Sequence, residues 1–198
     1  VLAENPYLVD HENMNGPVWI HDFELVEPGG TELDLQQIKL KFEETFRRVW
    51  QGTTESDGFN RLVMKAGLSW SNVAVLRAYA KYLRQAGITF SQSYMANTLS
   101  ENPAISRLLV DLFKTRFGPA FDGDRQSSAD RITGDIFTAL DDVASLDDDR
   151  IIRRFINLIE STLRTNVYQQ GAGEPDKHYF SFKLDSQTID ELPLPRPH

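Results

Sequence analysis

The sequence predicts a mainly α-helical fold: a multi-helix, bundle-like domain with short β-strands at its ends. Three observations carry this. Apolar residues recur at spacings of three and four through most of residues 35–163, which places them on one face of successive helices. Residues suited to start and stop helices (Ser69, Gly87, Ser91, Asn102-Pro103, Gly118-Pro119) sit at the edges of those runs. Period-two alternation appears only near the two ends.

Residues 18–26 (VWIHDFELV) are rich in β-branched and aromatic types and lie between Gly16-Pro17 and Pro28-Gly29-Gly30, so a strand is expected. Apolar groups fall on both of its faces, which predicts cover on both sides. Thr31 can cap the first helix, with Asp34 three residues on. Leu35, Ile38, Phe42, Phe46 and Val49 form its apolar stripe, and Gly52 is a plausible stop. Phe46 and Trp50 are expected in the core together with Leu76 and Leu83. Ser56 is read as opening a short second helix that Gly67 closes. Ser69 opens a third, ending at Gly87, whose buried stripe is Val73, Leu76, Ala80 and Leu83. Ser91 opens a fourth. Asn102, with Pro103 at the first helical position, opens a fifth that ends at Gly118-Pro119. Residues 122–130 read as a polar loop or helix entry, and 131–146 as a sixth helix weakened by Gly134. Asp147, Asp148 and Asp149 are read as opening a long seventh helix that carries Ile152, Phe155, Ile156, Ile159 and Leu163 and ends near Gly171. Residues 179–184 (YFSFKL) alternate and predict a one-sided strand.

Composition bounds the function. Hydrophobic residues make up 40% of the 198 and charged residues 25%, which fits a folded domain. A net charge of −8 argues against a nucleic-acid partner. No apolar run approaches the roughly 20 residues of a membrane span, and residues 1–10 lack a signal-peptide pattern. The absence of cysteine excludes disulfides and thiolate metal sites. A soluble, cytoplasmic protein is expected. The abrupt start in VLAENPYLV and the run of Pro193, Pro195 and Pro197 suggest a piece of a longer chain.

No residue is assigned a catalytic, cofactor-binding or metal-ligating role. His11, His21, His178 and His198 have no mutual metal-binding spacing, and His21 reads as a strand histidine. Asp122, Asp124 and Gln126 start like a calcium loop, but Ser127 and Thr133 stand where its glycine and glutamate are needed. Asp147, Asp148 and Asp149 suit a helix start, balanced by Arg150, Arg153 and Arg154. Arg77, Lys81 and Arg84, with Tyr79 and Tyr82 nearby, read as a solvated helix face. Gly171 and Gly173 follow a helix, not a strand, so they are no nucleotide loop.

Longer runs carry more. SDGFNRLVMKAGLSW, VLRAYAKYLRQAGITFSQSYM and NPAISRLLVDLFKTRF, followed in order by INLIESTLRTNVYQ, YFSFKLD and LPLPRP, resemble the helical region of the large bacterial NAD-specific glutamate dehydrogenases. The resemblance runs from about Pro17 to the end and is strongest over 56–117. VWIHDFEL resembles the last strand of the ACT-like module that precedes this region. The resemblance implies a parent enzyme that oxidatively deaminates L-glutamate to 2-oxoglutarate with NAD, and its substrate and NAD sites would lie beyond this stretch. It implies three parts: 1–30 ending an ACT-like module, 31–171 helical, and 172–198 a linker and first strand leading into the catalytic domain. Both end strands would then belong to sheets of neighbouring domains, with the other domains and subunits of the parent as partners. Unpaired strand edges predict pairing with each other or self-association. The alternative is an independent helical interaction module.

Overall fold

The computed structural model describes residues 2–9, 16–24, 35–169 and 179–196. It divides into two compact units, Val1–Asp34 and Leu35–His198. Thr31, Asp34, His11, His178, His198, Gly171 and Gly173 lie outside the described residues, as does the C-terminal end of the expected strand at 25–26.

The first unit is a β-hairpin. Strand β1 (Ala3–Val9) pairs antiparallel with β2 (Val18–Glu24), with Pro6 opposite His21. Pro6 is tolerated because a two-stranded sheet has only edge strands. Tyr7, Leu8, Trp19, Ile20 and Phe23 are exposed, so the two-sided cover expected for β2 is not supplied to it among the described residues.

The second unit is helical. It runs α1 (Leu35–Trp50), a 3-10 turn (Gly58–Asn60), α2 (Arg61–Lys65), α3 (Trp70–Ala86), α4 (Gln92–Glu101), α5 (Pro103–Phe117), α6 (Arg125–Leu140), α7 (Leu146–Glu160), β3 (Thr162–Thr165) and β4 (Phe182–Leu184). The expected mainly helical class is what the structure has. Local chemistry fixes most boundaries. Ser69 accepts from Asn72 N and Ser91 from Tyr94 N, each satisfying an amide that the first turn leaves free. Gly87 ends α3 in the left-handed region, φ 104°, where a side chain would clash, and the Ile88 amide then closes on Leu83 O at 3.0 Å.

A single hydrophobic cluster runs from Phe59 through α2–α7 to Ile189. Leu76, Leu83, Leu99, Leu109, Phe113, Ile136, Phe155 and Ile159 are all buried in it. Leu76 and Leu83 therefore lie in the core as expected, whereas Phe46 and Trp50 do not. Trp50 is 82% exposed and Phe46 53%, and the two rings extend a stacked ladder from Phe42 with centroids 6.2 Å apart. Sequence periodicity gives a face, but not whether a neighbour covers it.

Five other expectations are corrected. Asp57, not Ser56, caps the 3-10 turn before α2, accepting from Phe59 N at 3.0 Å. α6 begins at Arg125, six residues early, because Asp124 accepts from the amides of Gln126 and Ser127. α7 is capped by Ser145, with Asp147, Asp148 and Asp149 inside its first turn. It ends at Glu160, not near Gly171, and the chain continues as β3, where Leu163 is 56% exposed. The two expected strands also have partners within the chain: β2 pairs with β1, and β4 pairs antiparallel with β3. They pair neither with each other nor only with absent strands.

These assignments separate two variants. Leu76→Ala is expected to lower the urea midpoint by an amount equivalent to about 2–5 kcal/mol, the cost of a cavity in a filled core. Trp50→Ala on the exposed ladder is expected to stay within about 0.5 kcal/mol of the parent.

Candidate functional site

The face of α3 expected to be solvated is instead heavily bonded at Arg77. Arg77 is only 4% exposed. Its Nε donates to Asp57 Oδ2 at 2.8 Å and its Nη2 to Asp57 Oδ1 at 2.9 Å, a two-pronged pair of the kind a planar guanidinium makes best. Nη2 also donates to Asn60 Oδ1 at 2.6 Å and to Glu55 O at 3.4 Å, and the guanidinium lies 5.9 Å from the Phe59 ring. Gln92 Nε2 donates to Asp57 Oδ2 at 3.1 Å, and Arg61 Nη2 to Asn97 Oδ1. One arginine on α3 thus ties down the 52–60 turn, and that turn in turn holds α4. Gly58 permits the approach, since a Cβ there would stand 3.2 Å from Ala96 Cβ and closer still to Arg61.

Of the other cations on α3, Lys81 is half-exposed and paired with Glu55. Arg84 turns back to the chain end of its own helix, Nη1 donating to Ile88 O at 3.2 Å and Phe90 O at 3.1 Å. Tyr79 is not part of a solvated face either. It is 1% exposed, 5.0 Å from Phe182 and 6.1 Å from Phe113 between ring centroids. Its hydroxyl lies 2.8 Å from Thr162 Oγ1. Because Thr162 Oγ1 gives its one proton to Leu158 O at 2.7 Å, the tyrosine is the donor. Burial pushes the phenol well above the ordinary tyrosine range, so it stays protonated.

Beside this junction lies an open cleft of about 370 Å³. The end of α1 with the 52–55 turn forms one side, α3 the floor and residues 179–180 the other side. The Arg48 guanidinium stacks over the Trp70 ring at 3.8 Å on its wall.

The remaining candidates are structural. His21 sits on β2 with Nδ1 2.8 Å from Glu4 Oε1, stacked beside Phe23. Asp124 caps α6, and Gln126 Nε2 donates to Asp130 Oδ1 at 2.7 Å. Asp148 accepts from Thr98 Oγ1 at 2.6 Å, and Asp149 pairs with Arg153 at 2.8 Å. Arg154 does not balance the aspartate run but reaches Asp190 at 2.8 Å and Glu191. Among the described residues no group of three His, Asp or Glu side chains is placed to hold a metal, and no helix is long and apolar enough to cross a membrane.

Three family models match successive stretches of the chain. Residues 54–119, from the 52–60 turn through α5, match the family model described as glutamate dehydrogenase, helical motif 3. Residues 135–198 match the bacterial NAD-glutamate dehydrogenase catalytic domain, and residues 1–38 match the glutamate dehydrogenase ACT3 domain. The NAD-specific glutamate dehydrogenase of Halomonas elongata is 44% identical over 200 residues, spanning all of this chain. Over its whole length the chain is similar in sequence to a stretch of the NAD-specific glutamate dehydrogenases. Those of Pseudomonas aeruginosa and Mycobacterium tuberculosis are each 43% identical, again across the whole chain. The chain spans 12% of the length of each of these relatives. In the glutamate dehydrogenase frame, Arg77 and Tyr79 lie in the helical-motif match, whereas Thr162 and Phe182 lie in the catalytic-domain match. Sequence reasoning missed both junctions. The one available signal was an arginine and a tyrosine two residues apart, each within one turn of the Leu76, Ala80 and Leu83 stripe.

Arg77 generates a stability test. Arg77→Met leaves the largely buried Asp57 carboxylate without its partner and is expected to cost about 3–5 kcal/mol. Adding Asp57→Leu removes the stranded charge and is expected to return part of that loss in urea unfolding, short of full recovery because the 3-10 turn loses its cap.

Proposed function

We propose that this chain is a non-catalytic helical connector of an NAD-dependent glutamate dehydrogenase, joining ACT-like regulatory sequence to the catalytic region. The longer enzyme converts L-glutamate, water and NAD to 2-oxoglutarate, ammonia and NADH. In this reading residues 1–30 end an ACT-like module, 31–171 form the connector, and 172–198 lead into the catalytic sheet. No catalytic, cofactor-binding or metal-binding role is proposed for any residue here. NAD binds elsewhere in the longer enzyme, the partners are its other domains and subunits, and its compartment is the cytoplasm.

One observation supports the connector reading above the others. Tyr79, in the stretch similar to the helical motif, donates to Thr162 and packs on Phe182, both in the stretch similar to the catalytic domain. A hydrogen bond and an aromatic contact closed inside one core make the two stretches move together, because a packed core deforms little. The same linkage gives β4 a fixed position from which further sheet can be built.

Two assays test the proposal. The pure chain is expected to give no NADH from glutamate above a mock preparation. In the longer enzyme, Phe182→Ala is expected to lower glutamate-dependent NADH production while the protein still folds. NADH production by the chain alone, or full activity of the folded Phe182→Ala enzyme, contradicts the reading.

A further inference from the structure

The cleft beside α3 has the features of a ligand site that the connector reading does not use. Its floor is open because α3 presents Ala74 and Ala78 there, one turn apart, between Trp70 and Lys81. Its volume of about 370 Å³ falls within the usual range of small-molecule clefts. Arg77 supplies the decisive group. Its Nε and Nη2 are engaged at 2.6–2.9 Å, but Nη1 has one contact, a long 3.5 Å approach to Thr54 Oγ1. A guanidinium with five N–H groups, buried to 4% exposure, thus lines the cleft with donor capacity left over. Lys81 lies one turn further along the same face.

Glu55 now occupies the cationic end. Its carboxylate pairs with Lys81 and stands 4.0 Å from Arg77 Nε. Both Glu55 and Lys81 are about half-exposed, and such a pair is held weakly. An incoming oxyanion can therefore replace that carboxylate at little cost. On the other side, the Arg48–Trp70 stack and Tyr179 offer flat surfaces to a planar body.

We propose that this cleft binds a small organic anion, its oxyanion held by Arg77 Nη1 and Lys81 after displacing the Glu55 carboxylate from Lys81, its planar body lying over Ala74 and Ala78 against Trp70. Carboxylate and phosphate share this chemistry, and the probes distinguish them.

Trp70 is the reporter. Trp19 and Trp50 are both exposed, so Trp19→Phe and Trp50→Phe leave it as the sole indole. The chain is titrated with benzoate, with phenyl phosphate and with uncharged benzyl alcohol. A saturable change in Trp70 fluorescence with at least one anion, in the millimolar range and absent with the alcohol, is expected. A response to benzoate alone identifies a carboxylate site, and to phenyl phosphate alone a phosphate site. Glu55→Gln removes the internal competitor and is expected to tighten binding severalfold. Lys81→Met is expected to weaken it about tenfold, the scale of one lost charge contact. Ala78→Leu fills the floor and is expected to abolish it. No saturable response to either anion, an equal response to benzyl alcohol, or unchanged binding in folded Ala78→Leu overturns the proposal. If Ala78→Leu fails to fold, unchanged binding in Lys81→Met overturns it equally.

Discussion

Tyr79 carries a phenol into the middle of an apolar core, and much of the helical unit is arranged around the partner its oxygen finds. A buried hydroxyl without an acceptor costs about 1–3 kcal/mol. The acceptor here is Thr162, the first residue of β3, whose own proton goes back to Leu158 near the end of α7. α7 stops at Glu160 and the chain turns into a strand at Thr162. β4 then follows from β3: the pairing brings Phe182 against both Tyr79 and Phe113. One residue on α3 thereby touches the start of β3 and the last described strand.

Arg77, two residues earlier on the same helix, does for the 52–60 turn what Tyr79 does for β3. Its charge is affordable inside the protein because Asp57 meets it with both carboxylate oxygens and Asn60 takes a further proton. The arrangement stiffens a segment that contains no long helix. It also leaves one edge of the guanidinium at the cleft. Structural anchoring and ligand capture come from one side chain because Arg has more donors than Asp57 and Asn60 together absorb.

Much of the helical architecture was legible in the sequence, and the reasons are local. The α3, α4 and α5 boundaries follow from Ser69, Gly87, Ser91, Pro103 and Gly118, where one residue decides the outcome; the Asn102 side chain, expected to cap α5, bonds back to Thr98 O instead. Long-range pairing decides the rest, and it was not legible. Leu163 continues the apolar spacing of α7, yet it lies exposed in β3, which pairs with the distant β4. Phe46 and Trp50 lie on an amphipathic stripe that nothing described here covers. β1 went unread because Pro6 breaks the strand pattern. The Arg77 and Tyr79 sites were hidden for a related reason: charged and phenolic side chains on a helix are commonly solvated, and only the fold shows that Asp57 and Thr162 come to meet them.

A connector requires that the helical-motif stretch and the catalytic-domain stretch share one core. Native-state hydrogen exchange measures this residue by residue, because amides that open only in global unfolding report a common free energy. The slowest amides of α3 and α5 are predicted to match those of α7 in that free energy, and all of them are predicted to fall together in Leu76→Ala. Exchange of α7 and β4 through a separate, lower-energy opening, with α3 and α5 still protected, would contradict it.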